Sequence, residues 1–210
     1  MAFYKPDLTS PYGLMSTLRL CVDWFYTKTL FSRCRLVRRP IFIRGRKHID
    51  FGSNLTTGVG ARIEVFTHPK QPSDFLLYFG QNVQLNDYVH IAVAKLVIIG
   101  NNVLIASKVF ISDHDHGNYS GDSDHDSPEQ SPVSRRLQCS EVVIEDNVWL
   151  GEMVSVLPGS YIGFGSVIGA GSVVKGRIPP RSIAVGVPAK VIKQFNPATG
   201  RWERASNGQR

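Results

Sequence analysis

From Ile144 onward an aliphatic residue returns at every sixth position. Ile144, Leu150, Val156, Ile162, Ile168 and Val174 open six consecutive hexads, IEDNVW, LGEMVS, VLPGSY, IGFGSV, IGAGSV and VKGRIP. The same phase runs through FGQNVQ, LNDYVH and IAVAKL from Phe79, and through IGNNVL, IASKVF and ISDHDH from Ile99. FGSNLT and TGVGAR are looser copies further upstream. A period of six is neither the 3.6 of an amphipathic helix nor the two of a half-buried strand. One anchor per hexad supplies a short strand and a turn. Three hexads then close a triangular coil, and the anchors of successive coils stack inside it. Glycine stands second in three of the six hexads, where it is expected to let the chain bend at the corner. The pattern predicts an all-β solenoid, a parallel β-helix. The period does not set its hand, since parallel crossovers are ordinarily right-handed.

The repeat has flanks and breaks. Leu14, Leu18, Cys21, Val22 and Phe25 form the i, i+4, i+7, i+8, i+11 stripe of a half-buried helix within residues 12–32. A solenoid exposes core at its end coil, so this stripe is expected to cap it. Glu64 to Phe75 interrupts the hexads. So does the segment from His116 to Ser140, rich in Gly, Ser, Asp and Pro, which reads as an extruded loop. The resulting organisation is a helical, basic segment over 1–48, a solenoid over 49–193 with loop 117–140, and a loose polar tail over 194–210.

The net charge of +7 is local. Eight Lys/Arg and no Asp/Glu lie between Trp24 and Ile49: Lys28, Arg33, Arg35, Arg38, Arg39, Arg44, Arg46 and Lys47. A helix followed by such a cluster is the pattern of peripheral attachment to anionic lipid, here through residues 12–47. No nucleic-acid partner is expected. Cys21, Cys34 and Cys139 form no CxxC pair, which argues against a disulfide framework and for a reducing compartment. The N-terminus MAFYKPDLTS lacks a signal-peptide layout. No apolar run approaches the roughly 20 residues that span a bilayer. A cytoplasmic location, with association at the inner face of the membrane, is the expectation.

The blocks IGNNVLIAS, IEDNVWLG and VIGAGSVVKGRIPPRSIAVGVPAKVIK, with a histidine after ISDHD, make residues 49–193 resemble the hexapeptide-repeat acetyltransferases. The branch that includes the galactoside, maltose and surface-polysaccharide O-acetyltransferases is the most similar. The resemblance implies a left-handed coil, a homotrimer, acetyl-CoA as co-substrate, a carbohydrate acceptor and no metal. By position it implies His116 as general base and Asn86, with His114 beside it, on the acceptor side. It implies Trp149, Ala170, Lys175, Gly176, Lys190 and Lys193 along the cofactor cleft. The segment from His116 to Trp149 is longer than in the small-sugar enzymes, which favours a larger acceptor.

Acetyl transfer from a thioester to an alcohol needs a base for the hydroxyl proton, and imidazole, with an ordinary pKa near ~6.5, suits neutral pH. The tetrahedral oxyanion needs a donor, most simply a backbone N–H. Lys190 and Lys193 suit phosphates as point charges. Counting at period two along ISDHDH puts His114 and His116 on one side and Asp113 and Asp115 on the other. On that count neither aspartate orients the base, and His125 in the loop is solvated. Two alternatives stand beside this reading. One is a zinc enzyme of the γ carbonic anhydrase type using His90, His114 and His116. The other is a non-catalytic scaffold that binds membrane or polymer.

Overall fold

A computed structural model describes residues 13–66 and 75–205. The first twelve residues, the middle of the Glu64–Phe75 interruption and residues 206–210 lie outside the described residues. The hexads form strands of two to five residues that wind through three sheets. The first face runs Leu36–Val37, Thr56–Thr57, Gln84–Leu85, Leu104–Ile105, Trp149–Leu150, Val167–Ile168 and Ser182–Val185. The second face runs Ile41–Arg44, Ala61–Val65, His90–Val93, Phe110–Ser112, Ser155–Val156 and Val173–Val174. The third runs Ile49–Asp50, Leu77–Phe79, Val97–Ile99, Val142–Ile144, Tyr161–Ile162 and Arg177–Ile178. Each strand pairs in parallel with the equivalent strand one coil away, as in Ile111 with Ile91 and Val156.

The anchors fill the prism. Ile63, Ile91, Ile111, Val156 and Val174 stack behind the second face and are fully buried, as are Ile144, Leu150, Ile162 and Ile168. Burying one such side chain stabilises by about 1.5–3 kcal/mol, so the repeat is its own driving force. The corners differ from expectation. The residue with positive φ is the fourth of the hexad: Asn82, Tyr88, Asn102, Lys108, Asn147 and Met153 have φ between 55° and 59°, and Gly165 has 65°. The second-place glycine answers a different need. A Cβ on Gly163 would lie 2.4 Å from the backbone nitrogen of Pro180, one coil on, so glycine there permits coils to touch.

Two boundaries and one orientation also differ from expectation. The solenoid starts at Leu36, because Leu36–Val37 and Ile41–Arg44 already pair with the second coil. The tail is ordered through Arg204. Lys190–Asn196 and Arg201–Arg204 form an antiparallel hairpin that extends the first face, with Phe195 against Trp202 at 5.5 Å. The N-terminal helix, α1 (Leu14–Leu30), lies against the first coil as expected, but with the opposite face inward. Asp23 and Thr27 are its buried residues. Asp23 pairs with Arg39 at 2.8 Å, and the Thr27 hydroxyl accepts the Val37 N–H at 2.8 Å. Phe31, Cys34 and Val37 already close the end of the core, with Phe31 edge-on to Phe51. The stripe of Leu14, Leu18, Cys21, Val22 and Phe25 is left exposed.

Candidate active site

The chain leaves the solenoid after Ser112, and this exit builds the site. Asp113 belongs to no strand; it is fully buried at the corner between the second and third faces. Its carboxylate accepts the backbone N–H groups of Ala94, Lys95 and Leu96 at 2.8, 2.6 and 2.7 Å, and the Nδ1–H of His114 at 2.9 Å. Burial disfavours the charged form, but the hydrogen bonds from His114 and the three amides outweigh it and hold the Asp113 carboxyl below its ordinary value. An ionised carboxylate on Nδ1 selects the tautomer in which Nε2 carries the free lone pair. The count at period two missed the Asp113–His114 contact because the strand ends at Ser112 and the register restarts at His114.

Beyond the corner, His114–His116 pairs antiparallel with Leu137–Cys139, so the extruded segment stands on a two-stranded ribbon. His114 is nearly buried, with 11% of its side chain exposed. Its ring meets the edge of Phe66 at 5.6 Å, and the Arg44 guanidinium lies 4.9 Å over that same Phe66 ring. His116 is exposed. Its ring lies 6.5 Å from that of His114, and no carboxylate bonds it among the described residues. The rest of the arm is organised by Arg135, which donates to Tyr119 Oη and to backbone carbonyls. His125 is exposed, with Nδ1 on the Asp122 carbonyl.

The other expected residues fall into two groups. Register carries Ile111 to Val156 to Val174, so Lys175 and Gly176 share the corner of Asp113, two coils further on. Trp149 points outward from the first face and is half exposed, in one column with Gln84, Leu104, Val167, Ile183 and Lys193. Asn86 lies at the corner between the first and second faces, where its Oδ1 accepts from Gln84. Ala170 is at that same corner, and Lys190 pairs with Val185, whose side chain packs on Gly169. The expected residues therefore fall on different edges of the prism. Asp113 and Phe66 were not read from the sequence. An aspartate directly before the histidine at the strand exit was a visible signal for the first. Phe66 lies at the start of an interruption, where no periodic signal exists.

Among the described residues no three His, Cys, Asp or Glu side chains stand where they could hold a metal ion. His90, one of the three ligands of the zinc alternative, instead hydrogen-bonds Glu64 at 3.2 Å.

Residues 141–176 match the bacterial transferase hexapeptide family of six repeats. A putative lipopolysaccharide biosynthesis O-acetyl transferase of Escherichia coli (strain K12), WbbJ, is 47% identical over 198 residues, which is 94% of this chain and 98% of that protein. The chain belongs to the hexapeptide-repeat acetyltransferases. Another relative in this family, the galactoside O-acetyltransferase of Escherichia coli (strain K12), is 37% identical over 126 residues, 57% of this chain and 55% of that one. In fold the chain is similar to a serine-to-alanine mutant of AntD, an N-acyltransferase from Bacillus cereus, solved with dTDP-4-amino-4,6-dideoxyglucose and coenzyme A. The TM-score is 0.64 at 19% identity, over 79% of this chain and 84% of that one. The hexapeptide family and this fold identify the parallel coil as the left-handed β-helix.

Proposed function

We propose that the protein transfers an acetyl group from acetyl-CoA to a hydroxyl of a surface polysaccharide or its precursor, with His114 as general base and Asp113 as its positioning residue. The observation that carries this is the buried Asp113–His114 pair at the foot of the arm. Nε2 of His114 takes the hydroxyl proton as the oxygen attacks the thioester carbonyl. Asp113, ionised and desolvated, stabilises the imidazolium that forms. When the tetrahedral intermediate collapses, the carbon–sulfur bond breaks and the thiolate of CoA takes the proton from His114. Relative to counting along the motif, the two histidines exchange roles, and His116 takes the acceptor side.

The separation of the expected residues on the prism supports a homotrimer in which the His114 edge of one subunit faces the Trp149 face of its neighbour. Acetyl-CoA would lie between them, with Lys190 and Lys193 toward its phosphates. Acetyl-CoA is a cytoplasmic donor, and the free thiols Cys21, Cys34 and Cys139 suit that reducing compartment. The test is acetyl-CoA turnover against a panel of polysaccharide repeats, with the product mapped by NMR. His114→Ala should lower turnover on the order of 10²–10⁴-fold with the fold intact, and His116→Ala should cost far less. The reverse ranking would return the base to His116. Activity in both variants would end the general-base reading.

A further inference from the structure

α1 is amphipathic the wrong way round for a globular protein. It docks on the first coil through Asp23 and Thr27, and it presents Leu14, Met15, Leu18, Val22 and Phe25 outward with exposures of 52% to 78%. A contiguous apolar surface of this kind on one helix marks an interaction site. Beside it, Cys21, Trp24, Phe25 and Leu36 line a groove of about 840 Å³ that also takes in Lys28 and Arg35.

We propose that this face of α1 lies in the headgroup region of an anionic lipid bilayer. Its composition is that of an interfacial helix: Leu, Val, Phe and Trp toward the acyl boundary, with cations alongside to meet the headgroups. The charge is one-signed. Asp23, the one carboxylate of α1, is buried and paired with Arg39, and Asp50 is held by Arg33. Among the described residues no carboxylate pairs with Lys28, Arg35 or Lys47, so these exposed residues carry unneutralised charge, with Lys28 Nζ donating to the Cys34 carbonyl. A second copy packed on this face about a twofold axis would set the same cations against one another, and an anionic surface would not. The helix, at 17 residues, is not long and apolar enough to cross a membrane, so it lies along the surface. Docking this way would hold the solenoid's first coil at the bilayer. The surface stands independently of the acetyl-transfer reading, because its test measures no turnover.

The test is flotation of the full chain with vesicles of phosphatidylcholine alone and of phosphatidylcholine with phosphatidylglycerol, with light scattering on the same samples. Wild type should float only with the phosphatidylglycerol vesicles and should lose most of that binding in high salt. Leu18→Glu/Val22→Glu alters two exposed positions. It should reduce partitioning at least roughly tenfold while leaving the oligomeric mass and far-UV spectrum unchanged. Arg35→Glu should weaken binding as well, without affecting mass. Equal flotation with neutral vesicles, none with either kind, or unchanged flotation of the double variant would each overturn the proposal. So would a double variant with reduced mass, which would assign the face to contacts between copies.

Discussion

Asp113 shows how much one residue decides. Its carboxylate receives three backbone amides and one imidazole, and no other side chain of its size offers so many acceptor positions. Asp113→Asn keeps the shape but turns one oxygen into a donor facing donors. It should cost about 1–3 kcal/mol in urea unfolding. It should also lower kcat at least tenfold or so, because the tautomer of His114 is no longer fixed. The folded carboxyl titrates below its ordinary value of 3.8. Its contribution to stability is therefore complete above that value and declines as pH falls toward the lower folded one. The Asn variant should lack that part of the acid slope, measured as unfolding free energy against pH. A variant with wild-type stability at neutral pH would mean the amides have found other partners.

At the scale of the element, the hexad distributes two separate demands on glycine. Gly163 has room for no Cβ, since one there would lie 2.4 Å from the backbone nitrogen of Pro180 in the next coil. Gly165 has open space around it but a φ of 65°, where L residues are strained. Gly163→Ala should therefore destabilise by about 1–3 kcal/mol through overpacking. Gly165→Asn should leave the melting temperature almost unchanged, because Asn147 holds the equivalent place three hexads earlier at a φ of 59°. Thermal unfolding of the two variants checks both, and equal effects would mean that the corners are not specialised. α1 makes the complementary point. Its apolar stripe was legible and its length nearly so. Its orientation was not, since that depends on Asp23 meeting Arg39 and Thr27 meeting Val37, contacts that hydrophobic periodicity does not encode.

For the whole molecule, the proposed cleft between two edges would make assembly part of the chemistry. Light scattering should give a mass three times the chain's, and a fully active monomer would remove the shared cleft. Lys190→Glu should raise KM for acetyl-CoA much more than KM for the acceptor, and the effect should shrink as salt screens the charge. Equal effects on both substrates would take Lys190 out of the cofactor's path.

The coil and the family were in the sequence because both are written in local repetition. Anchors such as Ile144 and Ile162 specify inside from outside every six residues, and each coil reuses the packing of the last. That logic also marked the arm as a break, and it placed His114 and His116 together at its foot. It did not rank the two histidines. The partners of Asp113 at Ala94, Lys95 and Leu96 come from the preceding coil, 17 to 19 positions away in sequence. Only the stacked solenoid brings those amides to the corner, and with them the carboxylate that orients His114. The outward face of α1 was decided the same way. With Phe31, Cys34 and Val37 already sealing the first coil, the polar contacts of Asp23 and Thr27 set which side of the helix turned in.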